Sequence, residues 1–173
     1  MTADPFGRVV DYLRISVTDR CDERCLYCMP EGYRGWARRA DHMTADEIVR
    51  VADAATRMGF RKFRLTGGEP LVREDIVDIA RRIWDLPGAQ TLGISTNGTR
   101  LAPLAQDLKR AGVRSINVSL DALDGDVYRR ITGGSVERVL SGIDAALAAG
   151  FEVVKLNCVL MRGLNEGEYL PLI

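Results

Sequence analysis

Ser115-Ile116-Asn117-Val118-Ser119-Leu120 alternates without a break: Ile116, Val118 and Leu120 fall on one side of an extended chain, Asn117 and Ser119 on the other. A strand covered by helices on both faces reads instead as a near-continuous run of Val, Ile and Leu. This segment therefore has one face for packing and one for water or a ligand. The pattern recurs along the chain. In residues 9–17, Leu13, Ile15 and Val17 oppose Arg14 and Ser16; in 61–66, Phe63 and Leu65 oppose Arg64 and Thr66; in 152–160, Val154 and Leu156 oppose Lys155 and Asn157. Residues 91–96 complete a set of five predicted strands.

Helical patterns fill the intervals. Thr44-Ala45-Asp46-Glu47 has capping-box form ahead of an apolar-periodic stretch ending at Gly59. Further helices are predicted over 74–86, 101–111 and 136–149, the last two stopped by Gly112 and Gly150. Helical connections suit parallel crossovers, and polar faces turned toward a shared interior suit curved strands. The expectation is an α/β protein: an incomplete parallel (β/α) barrel with about five βα units, in preference to a flat doubly wound sheet. An antiparallel sheet with an exposed face is the alternative.

The 173 residues are 46% hydrophobic and 28% charged, an ordinary globular composition. Twenty-four basic and 24 acidic side chains cancel, so overall charge favours neither a nucleic-acid nor a membrane partner, and any anion must be bound locally. No apolar run is long enough to span a bilayer, and the first residues lack the form of a signal peptide, so a cytoplasmic location is expected. In that reducing compartment four cysteines read as metal or redox groups more readily than as disulfides.

Three of them form Cys21-Asp22-Glu23-Arg24-Cys25-Leu26-Tyr27-Cys28, directly after the first strand, where a barrel carries its functional loops. Three thiolates so spaced can each ligate a separate iron of a cubane cluster and leave the fourth iron without a protein ligand. Structural zinc would need a fourth donor from His42 or the distant Cys158, and a redox pair at Cys25 and Cys28 would leave Cys21 unexplained. Cys158 reads as a small core residue on a strand's apolar face. His42, in a loop with Arg34, Trp36, Arg38 and Arg39, reads as a surface residue.

The spacing, with Tyr27 before the last cysteine, resembles the signature of the radical S-adenosylmethionine (SAM) superfamily. Thr66-Gly67-Gly68-Glu69-Pro70 resembles that superfamily's glycine-rich SAM motif, its paired glycines suited to close backbone approach to a ligand. The resemblance implies a 4Fe-4S cluster on Cys21, Cys25 and Cys28, with SAM on the open iron. It also implies SAM contacts from Tyr27, Gly67, Gly68, Glu69 and Ser119, and radical chemistry begun by reductive cleavage of SAM.

Longer stretches resemble one family within the superfamily, the GTP 3',8-cyclases of molybdenum cofactor biosynthesis. They are residues 13–21, 27–30, 64–71, 95–98 and 117–122. That resemblance implies a lyase acting on GTP, served by a low-potential electron donor and followed by a second enzyme that completes the pterin. Separately, Arg14, Arg64 and Lys155 lie on polar strand faces, where cations gathered in a cavity call for anionic partners such as a triphosphate. Pairing with Asp11, Asp121 or Glu152 is the alternative for each. By resemblance these three residues and Ser95 line the GTP site. Members of the family are longer, with a sixth strand, a second three-cysteine cluster and a two-glycine tail. Residues 1–173 are therefore expected to be a truncated core whose end reads as the first turn of another helix. Other readings are a different radical SAM enzyme, such as a peptide maturase or activating enzyme, and a non-catalytic zinc module.

Overall fold

All five predicted strands form, and each pairs with the next. The computed structural model describes residues 3–29, 32–33 and 39–173; Pro30, Arg34, Trp36 and Arg38 lie outside the described residues. In chain order the elements are β1 (Tyr12–Ser16), α1 (Ala45–Arg57), β2 (Lys62–Thr66), α2 (Ile76–Trp84), β3 (Thr91–Thr96), α3 (Leu101–Arg110), β4 (Ser115–Ser119), α4 (Gly125–Thr132), α5 (Val136–Ala149) and β5 (Val153–Asn157). Sheet order follows sequence order, and all four pairings are parallel. That winding is a barrel's; a doubly wound sheet reverses direction partway. The antiparallel alternative is overturned.

The alternation sorts as expected. Ile15, Phe63, Leu65, Leu92, Ile94, Ile116 and Val118 are buried beneath the helices in one core with Ile48, Ile79, Leu108 and Val139. Arg14, Arg64, Ser95, Asn117 and Lys155 take the opposite face. The core face of β5 is less covered, with Leu156 45% exposed.

Helix ends follow local chemistry. Thr44 forms the expected capping box with Glu47, and α5 matches its prediction to the residue, bracketed by Ser135 and a left-handed Gly150. Other boundaries move. β1 and β5 are shorter than their patterns, because Val9 bridges Ala3 in antiparallel fashion and residues beyond Asn157 leave the sheet. Near the C-terminus a single 3-10 turn, Glu166–Glu168, stands where the start of a helix is expected.

α4 has no counterpart in the sequence reading. Asp124 Oδ1 caps it by accepting from the backbone N–H groups of Asp126 and Val127, both at 2.9 Å, and Tyr128 and Ile131 are buried beneath it. Asp124→Ala should lower unfolding free energy by about 1 kcal/mol, whereas Asp124→Asn keeps the capping oxygen and should be close to neutral, as read by urea titration.

Candidate active site

The loops that leave the C-terminal ends of the strands meet at one end of the sheet, and backbone hydrogen bonds set their spacing. Pairing between β1 and β2 continues past both strands: Val17 N–H donates to Thr66 O (2.9 Å), Gly68 N–H to Thr18 O (2.7 Å) and Glu69 N–H to Arg20 O (2.7 Å). A Cβ on Gly67 would sit 2.3 Å from Thr18 O, and one on Gly68 2.3 Å from Arg20 O. The close approach that the two glycines permit is thus to the chain's own backbone, on the segment entering the cysteine loop.

Glu69 ties three loops together from a buried position. Its carboxylate accepts from Leu71 N–H (2.8 Å), Thr96 Oγ1 (2.7 Å) and Asn97 N–H (2.6 Å). Burial lifts its pKa to about 7, against those three donors. Asn97 extends the network, its Nδ2 donating to Asp22 Oδ1 at 2.8 Å and pointing at Cys21 Sγ from 3.9 Å. Asp22 also accepts from Thr99 Oγ1 and Arg100 Nε, both at 3.0 Å. Despite the cost of burial, these donors hold Asp22 below its ordinary value.

The cysteine loop itself rests on α4. Arg24 N–H donates to Thr132 O (2.8 Å) and Leu26 N–H to Ile131 O (2.9 Å), while Tyr128 Oη donates to the buried Glu23 carboxylate at 2.8 Å. Cys25 Sγ lies 4.0 Å from the other Glu23 oxygen. Cys21 and Cys25 are half-buried and Cys28 is exposed. Burial pushes the Cys21 thiol up to about 11 and the Cys25 thiol to about 12, with neighbouring carboxylates adding to both. Metal binding would reverse that protonation. Tyr27 Oη donates to Asp121 Oδ2 at 2.8 Å, linking the loop to the end of β4; burial and this bond raise its pKa.

The donor set fits a cluster held by three thiolates. His42 is half-buried, not on the surface as expected, because its Nε2 lies 2.8 Å from Asp19 Oδ1. Cys158 is exposed, not in the core, because β5 ends before it; its Sγ points to Asp121 O at 3.7 Å. Among the described residues no three His, Cys, Asp or Glu side chains gather as ligands of a single ion. By donor chemistry, in a cubane each thiolate takes its own iron, whereas tetrahedral zinc calls for four donors on one ion.

Across the polar sheet face, Arg14 and Arg64 are register partners on β1 and β2, while Ser95, Asn117 and Lys155 share a rung across β3, β4 and β5. Arg14 and Lys155 are exposed, so they are not the buried cations that were expected. The carboxylates considered as their partners are engaged elsewhere: Asp11 with Lys62 (3.0 Å), Glu152 with Arg114 (3.1 Å), and Asp121 with Tyr27 and Val159 N–H. Among the described residues Arg14, Arg64 and Lys155 form no ion pair. Ser119 ends β4 on the same polar face, half-buried, one rung above Asn117.

The sequence reading missed Asp22, Glu23, Asn97, Asp121 and Tyr128 as parts of this end of the molecule. Asp22 and Glu23 stand inside the cysteine motif, and Asn97 and Asp121 inside residues 95–98 and 117–122. For Tyr128 the signal was Asp124 followed by Val127, Tyr128 and Ile131 at helical spacing, stopped by Gly133-Gly134. A cavity of about 800 Å³ lies beside this loop and is lined in part by Asp22, Glu23, Arg73, Arg100 and Arg138; it is separate from the polar sheet face.

Comparison with protein families matches residues 15–173 to the Radical SAM superfamily. A GTP 3',8-cyclase of Pseudomonas putida strain KT2440 is 48% identical over 171 residues, covering 98% of this chain and 51% of that protein. One from Haemophilus influenzae strain 86-028NP is 46% identical over 167 residues, covering 96% and 50%. The chain thus spans about half the length of the curated relatives it matches. Among solved structures, SAM-bound Streptococcus suis SuiB superposes with TM-score 0.74 at 18% identity, over 94% of this chain and 36% of that one. Methylornithine synthase (PylB) gives 0.72 at 19%, over 92% and 47%. At such identity these two establish a shared fold.

Two outcomes test this arrangement in the cluster-free chain. Tyr128→Phe strips a buried carboxylate of its donor; it should cost about 1–3 kcal/mol in urea unfolding and speed alkylation of Cys25. For Glu69, a folded value of about 7 against an ordinary 4.5 means that the folded state holds the proton more tightly. That contribution is complete below pH 4.5 and lost as pH rises through 7, so unfolding free energy should fall by roughly 1–3 kcal/mol between pH 4.5 and 8. Glu69→Gln should flatten this slope.

Proposed function

The chain belongs to the radical SAM superfamily, and from that premise we propose that it is the core of an enzyme that cleaves SAM reductively and acts on GTP, cyclising it toward the pterin of molybdenum cofactor. The observation that carries the choice of substrate is the pair Arg14 and Arg64, side by side in register on adjacent strands with no ion pair among the described residues. Two cations on one polar strand face without a carboxylate partner suit an anionic ligand. A triphosphate satisfies both, and Arg matches its oxygens with forked donors. The identity to GTP 3',8-cyclases over nearly the whole chain supports the same reading.

Cys21, Cys25 and Cys28 would hold a 4Fe-4S cluster, with Tyr27, Gly67, Gly68, Glu69 and Ser119 along SAM. When bound, such a cluster supplies the electron that splits SAM into methionine and a 5'-deoxyadenosyl radical. The chain's own residues set the conditions for that electron. Asp22, held ionised by its donors beside Cys21, places negative charge there, which disfavours an added electron and so makes the reduced state more reducing. Glu23 N–H and Asn97 Nδ2, pointing at Cys21 Sγ from 3.5 and 3.9 Å, act in the opposite sense as donors to sulfur. Tyr27 is fixed by its bond to Asp121.

Arg14, Arg64, Ser95 and Lys155 would receive the nucleotide from the sheet floor, with Lys155 reaching in from β5. A low-potential donor supplies the electron, and a following enzyme completes the pterin; both fit a cytoplasmic setting. No helix among the described residues is long and apolar enough to cross a membrane.

The test uses the protein that carries this chain, reconstituted anaerobically with iron and sulfide. It should release 5'-deoxyadenosine from SAM under strong reductant in a GTP-dependent manner. Cys28→Ala should abolish both the brown colour and cleavage, and Arg14→Ala should weaken GTP binding by about tenfold. SAM cleavage indifferent to GTP would remove the cyclase reading and leave the superfamily intact.

A further inference from the structure

Arg64 takes an unusual route. Its backbone is on β2, in register with Gly93 on β3, which is in register with Ser115 on β4. The side chain runs along this rung, over Gly93. Nη2 donates to Ser115 Oγ (3.0 Å), Nη1 to the Ile94 carbonyl (3.0 Å) and Nε to Tyr12 Oη (2.7 Å) on β1. One guanidinium thereby touches the three other strands from β1 to β4, spanning two strand spacings, about 10 Å, toward β4.

Gly93 makes this possible. A Cβ there would lie 2.8 Å from Arg64 Nη2, 2.9 Å from Cζ and 2.5 Å from Ser115 Oγ. Any side chain at 93 would evict the guanidinium from the floor of the sheet. Of the five N–H donors of an arginine, three are committed to these acceptors. Two remain, one on each terminal nitrogen, for an anion to accept. Arg14 shares the polar face as the backbone register partner of Arg64 on β1.

We propose that Tyr12, Gly93 and Ser115 are positioning residues that preset Arg64 as a two-donor fork for an oligophosphate. The proposal rests on the reading of the polar sheet face as the nucleotide site. The gain is in preorganisation: a free arginine loses rotamer freedom when it grips an anion, and one already fixed at three points loses little. Lysine could not replace it, since a single ammonium cannot satisfy three separated acceptors and still present a fork.

The experiment is calorimetric titration of the cluster-loaded protein with GTP and with inorganic tripolyphosphate, in a double-mutant cycle on Tyr12→Phe and Arg64→Ala. Tyr12→Phe keeps the ring and removes one acceptor. It should weaken tripolyphosphate about fivefold when Arg64 is present and less than about twofold when Arg64 is already alanine. Gly93→Ala, where it folds, should weaken binding at least as much as Arg64→Ala. An equal loss in both backgrounds, or no loss, overturns the proposal, because a merely structural tyrosine would act independently of Arg64. If tripolyphosphate binds with the expected coupling and GTP does not bind, the fork stands and the GTP reading falls. GTP binding without coupling gives the reverse, and binding of neither removes both.

Discussion

Backbone pairing between β1 and β2 does not stop where the strands do, and much of the functional end of this protein is placed by that continuation. Gly68 and Glu69 donate to Thr18 and Arg20, so the segment entering the cysteine loop is held as a ladder neighbour of the glycine-rich turn. A ladder rung leaves no room for a side chain pointing into its partner, which accounts for both glycines. The buried Glu69 then reaches Thr96 and Asn97 at the end of β3, and Asn97 reaches Asp22 beside the first cysteine. Cysteine loop, glycine-rich turn and third-strand end are thus one hydrogen-bonded body.

The opposite flank of the cysteine loop is held by different means. Its anchor is α4, through two backbone bonds and the Tyr128–Glu23 contact. Between these supports lies a loop with two adjacent acids, Glu23, whose pKa burial raises, and Asp22, whose pKa its donors lower. Burying thiols beside carboxylates costs stability, and it shows in the raised pKa values of Cys21 and Cys25.

Strand number, parallel pairing, the polar face and the cysteine motif were legible in the sequence because each rests on local period or spacing. α5 was legible to the residue from its apolar period and its stop at Gly150. α4 was not, since Asp124-Gly125-Asp126 reads first as a turn and Tyr128 reveals its purpose only when Glu23, 105 residues away, is seen beneath it. The inward direction of Arg64 was legible from alternation; its route over Gly93 was not, because that depends on the register of β3 and β4. Cys158 and His42 were misplaced for a related reason. The first depends on where β5 leaves the sheet and the second on Asp19, and neither fact has a periodic signature.

The lane that Gly93 leaves open across β3 also constrains how such a sequence can drift. A larger residue at 93 is excluded while arginine stays at 64, a shorter residue at 64 leaves a bare trough over glycine, and Ser115 has reason to keep its hydroxyl only while the guanidinium arrives. Single steps away from this arrangement each pass through a damaged intermediate. Three positions scattered over 52 residues of chain are therefore expected to be inherited as a set, replaced together or kept together, as though they were one residue.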